Sequence, residues 1–245
     1  MRKLSLALDS DIKIEQHEER LDGGVSFAIR ERGVAQRFVK RFIDVGVSLG
    51  VLMIGFPFFL ALAVLIKITS RGSVFFKQQR IGENGRSFAF FKFRTMRPDN
   101  DDSIHREFAQ NFIKGQMSQS SLDGQESNLY KISHDPRITG LGGFLRRTSL
   151  DELPQFINIL KGEMTIVGPR PPLGYEYEQY DEWHKLRLKV KPGLTGLWQV
   201  SGRSTVPFHE MVKLDLYYIE NWSLAMDLKI IFRTIPVMLA GTGGL

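Results

Sequence analysis

The sequence predicts an α+β fold, mainly helical, in which a re-entrant helix-break-helix membrane hairpin leads into a compact cytosolic domain with a small β-hairpin and interfacial amphipathic helices. Three observations carry that prediction. Val45–Ile66 runs for 22 residues without a charge, about 33 Å as a helix and enough to cross a bilayer core. The stretch SVFFKQQRIGENGRSFAFFKFRTM, residues 73–96, places β-branched and aromatic runs on either side of Glu83-Asn84-Gly85, a hairpin signal. Beyond residue 136, short apolar-periodic segments alternate with Gly- and Pro-containing loops, the mark of short packed helices.

The elements divide the chain into a leader (residues 1–36), the membrane hairpin (37–70) and the cytosolic domain (71–245). The leader mixes acids, bases and glycine without a sustained period, and is too polar for a signal peptide. Within the apolar run, Pro57 removes a backbone hydrogen bond and would kink a helix. Arg30, Arg32, Arg37, Lys40 and Arg41 precede the run and Lys67, Arg71, Lys77 and Arg80 follow it. Basic flanks on both sides place both ends in the cytoplasm, which a helix broken near Pro57 and returning to the same face satisfies. An ordinary kinked transmembrane helix is the alternative. Asp44, beside Lys40 and Arg41, is expected to form an interfacial ion pair. Residues 97–133 are polar and read as a helix and a loop. Helices follow near 142–147, 154–161, 175–187 and 207–221, with loops at VGPRPP and PGLTGLWQVSGR between them. The last apolar run, 228–239, is too short to span and suits an interfacial position.

Composition narrows the chemistry. With no cysteine among 245 residues, disulfides, thiolate nucleophiles and cysteine zinc sites are excluded. The net charge of +6 favours a polyanionic partner: nucleic acid, anionic lipid or a phosphorylated small molecule. No helix-turn-helix, zinc or RNP pattern supports nucleic acid, which would also leave the apolar run unexplained. The five histidines lack metal-ligand spacing, and Gly140-Leu-Gly-Gly fails the dinucleotide fingerprint.

The stretch RRTSLDELPQ, residues 146–155, sets Asp151 and Glu152 beside Arg146 and Arg147. One reading is a capping box, Ser149 capping and Glu152 reaching back. It puts Pro154 where a helix hydrogen bond is lost. The other starts the helix at Asp151, so that Pro154 falls in the first turn and loses none. Asp151 then lies at a helix N-terminus among arginines, a place that binds phosphate and keeps a carboxylate ionised. Lys92, Arg94, Arg137, Arg146, Arg147 and Arg170 form a cationic series, each next to a turn or an element end. Singly such residues are surface charges. Gathered on one cleft they would clamp a pyrophosphate.

KRFIDVGVSL, FKQQRIGENGRSFAFFKFRTM, DPRITGLGGFLRRTSLDELPQFINILKGEMTIVGPRPP and KPGLTGLWQVSGR together resemble the bacterial sugar transferase family of monotopic phosphoglycosyl transferases. The likeness runs from about Phe38 to the C-terminus, with several long motifs in the family's order. In layout the chain is similar to the short members that prime exopolysaccharide synthesis. The resemblance implies transfer of a hexose 1-phosphate, galactose or glucose, from a UDP-sugar to undecaprenyl phosphate with release of UMP, by a ping-pong path that uses Mg2+. It implies that Asp151 is the nucleophile and lies at the metal, with Glu152 positioning it or handling protons. Arg146 and Arg170 would contact phosphate or nucleotide, Lys92 would lie near the site, and Pro171 would shape the loop. It also implies an inner-membrane protein whose catalytic domain faces the cytoplasm among the membrane lipids, with the oligomeric state open. The chain departs from the family in having Phe56, not serine, before Pro57. Two alternatives stand beside this reading: an N-acetylated sugar donor, and a membrane-anchored scaffold without turnover whose basic face grips anionic lipid.

Overall fold

The computed structural model describes residues 33–97, 103–114, 137–201 and 206–239. Expectations for residues 1–32, 98–102, 115–136, 202–205 and 240–245 lie outside that range. The described residues are mainly helical, with two small two-stranded sheets among them.

The apolar run forms one helix, α1 (Val34–Thr69), which continues through Pro57. The break expected at Pro57 is therefore not present as two helical segments: a single missing N–H is tolerated within 36 residues of otherwise helix-compatible sequence. At 1.5 Å per residue the helix is about 54 Å long. One face is buried near each end. Lys40, Asp44 and Ser48 recur at helical spacing near its start and Leu62 and Ile66 near its end, whereas Met53, Ile54, Phe56 and Leu60 are exposed. The Ser48 hydroxyl is buried with no hydrogen-bond partner, and it lies too early in the helix to serve the Met53 carbonyl that Pro57 leaves free.

After α1, β1 (Phe75–Ile81) and β2 (Ser87–Phe93) form the expected antiparallel hairpin, Phe75 opposite Phe93 and Ile81 opposite Ser87. Its turn holds Asn84 at φ 55° and Gly85 at φ 76°, left-handed values that asparagine and glycine adopt at low cost. Then come α2 (Ser103–Ile113) and α3 (Gly140–Arg147). Gly142 lets α3 pass the Thr95 carbonyl: a Cβ there would stand 2.0 Å from that oxygen. A 3-10 turn (Leu150–Glu152) leads into α4 (Gln155–Lys161).

Two strands were not anticipated. β3 (Thr165–Val167) and β4 (Gly193–Thr195) pair in parallel, and the stretch PGLTGLWQVSGR expected as a loop holds both β4 and a short helix at Leu197–Ser201. Three residues are too short for alternation to be read from sequence. The helix expected over 175–187 is instead α5 (Gly174–Tyr177), α6 (Glu182–Lys185) and a 3-10 turn (Leu186–Lys189). Asp181 breaks it, with an extended ψ of 164° and its N–H given to His184 Nδ1. The chain ends in α7 (Leu197–Ser201), α8 (Phe208–Glu220) and α9 (Leu224–Leu239).

The main core gathers Phe156, Ile159, Val167, Trp198, Val212 and Tyr218. A second cluster joins Leu62 and Ile66 of α1 to Phe93 of β2 and Leu145 of α3. Both ends of α1 are thus fastened to one domain. At the start, Lys40 Nζ lies 2.6 Å from Asp227 Oδ2 and 3.2 Å from the Val167 carbonyl. Arg41 donates to the Ile159 and Leu160 carbonyls at the end of α4, where a cation suits the helix terminus. Asp44 does not form the ion pair expected of it. Its carboxylate accepts from Thr165 Oγ1 (2.7 Å) and Ile166 N–H (3.0 Å), while Lys40, on the same face, finds Asp227.

Candidate active site

Asp151 and Glu152 occupy the 3-10 turn between α3 and α4. Ser149 redirects the chain there with φ 56°, and its side chain caps nothing. Neither Ser149 nor Asp151 starts the helix: α4 begins at Gln155, directly after Pro154, close to the range 154–161 expected for it, so the proline costs no helical bond. Asn158 holds α4 against the hairpin. Its Oδ1 accepts from Phe91 N–H (3.1 Å), and its Nδ2 donates to the Ala89 carbonyl (2.7 Å) and to Glu163 (2.6 Å). The amide thus serves the edge of β2 as a further strand would. This docking sets the carboxylate turn beside Lys92, whose Nζ lies 2.7 Å from Glu152 Oε1 and 3.4 Å from Asp151 Oδ2.

The two carboxyls are driven apart. Burial pushes Asp151, only 3% exposed, above the ordinary carboxylate value; Lys92 and Arg146 oppose this, and Glu152 adds to it. Burial acts to raise Glu152 as well, but Lys92, with Arg170 and Arg80, outweighs it and holds that carboxyl below its usual value. The cationic field expected to keep Asp151 ionised is therefore opposed by burial. Desolvation dominates at Asp151, and the closer lysine contact falls to Glu152. Adjacent carboxyls of unlike basicity are a means of dividing two chemical roles.

Around this pair the cations take different positions. Arg146 sits on the buried side of α3, its Nε donating to Thr95 Oγ1 at 3.0 Å. Arg170 and Pro171 enter on the loop after β3, and Gly168 of that loop packs so closely on Gly193 that a Cβ on the latter would come within 2.1 Å of its nitrogen. Arg137 stands just before α3, its carbonyl accepting from Arg97 N–H. Arg94, expected at the site, turns to the end of α1, where Nη2 donates to the carbonyl and hydroxyl of Ser70, each at 2.8 Å. Arg147 is exposed on the other side of α3.

Arg80 was not expected here. It is 4% exposed, stacks 4.7 Å from the centre of the Phe90 ring, donates to the Pro171 carbonyl and adds its charge to the field on Glu152. Nothing in the sequence separates it from Lys77, which is exposed on the same strand. Asn158 likewise reads as an ordinary helical polar residue.

Among the described residues no three His, Cys, Asp or Glu side chains gather as a metal site. Asp151 and Glu152 alone supply two carboxylates, a set that suits Mg2+ when substrate phosphates complete the shell. The site as a whole offers a buried carboxylate, a second carboxylate kept ionised, and cations to receive phosphate charge.

Residues 35–241 match the bacterial sugar transferase family. The chain is 43% identical to the exopolysaccharide production protein ExoY of Sinorhizobium fredii, over 83% of this chain and 87% of ExoY. It is 42% identical to the galactosyl transferase CpsE of Streptococcus agalactiae serotype III, over 89% of this chain but 46% of CpsE. With the undecaprenyl-phosphate galactose phosphotransferase of Salmonella typhimurium the identity is 39%, over 85% of this chain and 42% of that protein. The chain thus spans less than half the length of two of these relatives and nearly all of the third. With a family match over residues 35–241 and a relative 43% identical across most of both chains, the chain belongs to the bacterial sugar transferase family.

Proposed function

We propose that the protein transfers a hexose 1-phosphate, galactose or glucose, from a UDP-sugar to undecaprenyl phosphate, releasing UMP, as a priming step of exopolysaccharide synthesis. The names of its relatives support the substrates. The observation that carries the mechanism is the carboxylate pair of divided basicity. An Asp151 oxygen attacks the sugar-bearing β-phosphorus, the bond from that phosphorus to the bridging oxygen breaks, and UMP leaves with the bond's electrons. A phosphate oxygen of the lipid then attacks the same phosphorus and returns the Asp151 carboxylate. Raised basicity makes Asp151 the stronger nucleophile once ionised, as it does for thiolates. Glu152 holds Lys92 in place, and Arg146 and Arg170 receive charge on the transferred phosphoryl group. Mg2+, held by Asp151 with Glu152 beside it, would neutralise pyrophosphate charge.

The same reading places α1 in the cytoplasmic leaflet of the inner membrane without crossing it. It is long and apolar enough to cross, yet Lys40 near one end and Ile66 near the other are both buried against the one domain. A spanning helix would carry one end to the far side, out of that domain's reach. The exposed Leu228, Phe232 and Ile235 of α9 recur at helical spacing and suit the interface. Exposed Arg37, Lys67, Arg71 and Lys77 favour the cytoplasmic side.

The test is intact-mass analysis after incubation with UDP-galactose or UDP-glucose and Mg2+ but no lipid. An added hexose phosphate on the wild type and none on Asp151→Asn is expected, with lipid-dependent UMP release lost in the variant. Unchanged UMP release by Asp151→Asn would sink the mechanism, and UMP release with none of a panel of UDP-sugars would sink the function.

A further inference from the structure

An apolar groove of about 540 Å3 runs between α1 and the carboxylate turn. Gly50, Val51, Ile54, Phe58 and Phe59 line its α1 side, and Leu153 lines it from the other side. The volume falls in the range of small-molecule sites, roughly 300–1,000 Å3. Ile54, on the exposed face of α1, is 85% exposed, and Leu153, the lining residue from outside α1, follows Glu152 in the chain. Glycine shapes it at two points. A Cβ on Gly50 would meet nothing within 4 Å, so that position is open space. A Cβ on Gly55 would stand 2.6 Å from the Phe59 ring, so glycine there lets Phe59 lie down on the helix as one wall.

We propose that this groove seats the first isoprene units of the acceptor lipid, with its phosphate delivered past Leu153 to Asp151. The inference rests on the transfer reading above and adds to it the part of the protein that recognises the acceptor's chain. A wall with almost no polar atoms offers nothing to a sugar or a nucleotide and burial to a hydrocarbon. Continuity with the carboxylate turn selects which hydrocarbon. A single chain bearing phosphate directly at its end puts that phosphate at the reacting pair, whereas a phospholipid's two chains meet at a glycerol and need a second groove. Lys92 and Arg146 stand by Asp151 to receive the anion. Seating the chain first makes phosphate delivery an intramolecular event within the leaflet, the gain that comes from holding reactants in place.

The experiment uses the full chain in nanodiscs of defined phospholipid, with undecaprenyl phosphate varied at saturating UDP-sugar. Gly50→Phe fills the open position. Its KM for undecaprenyl phosphate should rise about tenfold or more, while donor-only adduct formation, which precedes the lipid, stays within about twofold. Gly50→Ala, whose Cβ meets nothing, should keep the wild-type KM and so controls for the change in helix propensity. Farnesyl phosphate, too short to fill the groove, should lose less affinity in Gly50→Phe than undecaprenyl phosphate does. An unchanged KM for undecaprenyl phosphate in folded Gly50→Phe would overturn the proposal and leave bulk lipid as the groove's occupant. If Gly50→Phe does not insert, Ile54→Trp on the groove's α1 side takes its place with the same two outcomes. Failure of the wild type to form adduct or release UMP is a different result: it refutes the transfer reading itself.

Discussion

Lys92 Nζ lies 2.7 Å from Glu152 Oε1 and 3.4 Å from Asp151 Oδ2, so one ammonium on β2 serves two carboxylates on the turn before α4. Burial raises Asp151, and the contacts are unequal: the nearer carboxyl, Glu152, takes more of the lysine's field and is held low. Removing the charge without the stem, in Lys92→Met, would leave adjacent buried carboxylates facing each other. Turnover should fall about 10²- to 10³-fold, as on loss of a charge-stabilising donor. Lys92→Arg should recover part of it, since the charge returns in a fork of different shape. UMP release with lipid present measures both, and near-wild-type turnover by Lys92→Met would show that the pair acts without the lysine.

Asn158 predicts a second effect, on stability. Its side chain satisfies Phe91 N–H, the Ala89 carbonyl and Glu163 at once, and the residue is fully buried. Asn158→Leu keeps the size and strands all three groups. A loss of about 2–4 kcal/mol is expected from unsatisfied buried polar groups. Thermal melting would read it as a lowered midpoint, and a variant melting with the wild type would mean that water reaches the β2 edge.

How much of this was legible in the sequence depends on the range of the interaction. The β1–β2 hairpin, α3, α4 and α8 follow from local signals: a turn with Asn84-Gly85, and apolar periodicity. The carboxylate pair and most of its cations were visible because each sits by a turn. Three features were not. Arg94 and Arg80 look alike in a sequence, yet one braces Ser70 and the other reaches Pro171, a choice made by tertiary packing. β3 and β4 exist through pairing with each other. The greater basicity of Asp151 comes from desolvation, which depends on what the fold places around it, where the sequence offered only neighbouring arginines.

The anchor at the start of α1 yields a third prediction. Asp227 receives Lys40 at 2.6 Å and Trp222 Nε1 at 3.1 Å, and the Tyr218 hydroxyl lies between its Oδ1 (2.7 Å) and the Val167 carbonyl (2.8 Å). Asp227→Asn keeps the shape and leaves the buried Lys40 ammonium without its counter-charge. Breaking a buried pair from one side costs about 3–5 kcal/mol. Asp227→Asn should melt earlier and expose the start of α1 to proteolysis in detergent. The double variant Lys40→Met with Asp227→Asn should recover part of the loss, because the stranded charge is then gone. Equal loss in single and double variants would show that the carboxylate matters through Tyr218 and Trp222 instead.

His184 gives the pH dependence. It is 1% exposed, and its Nδ1 accepts from Asp181 N–H at 3.0 Å, a bond that only the form lacking a proton on Nδ1 can make. Burial, with help from His209 and Arg187 and against Asp181, lowers its pKa to about 4. The unfolded chain therefore binds a proton near pH 6.5 that the folded chain refuses until about pH 4. Stability from this residue is complete above about pH 6.5 and declines as pH falls toward 4, by up to about 3 kcal/mol. His184→Gln retains an acceptor but cannot titrate, so its stability should change less across that window even where its absolute stability is lower. Denaturant midpoints at pH 7 and pH 5 for the two proteins decide it. Equal slopes would place the acid sensitivity in the carboxyls and remove His184 from the account.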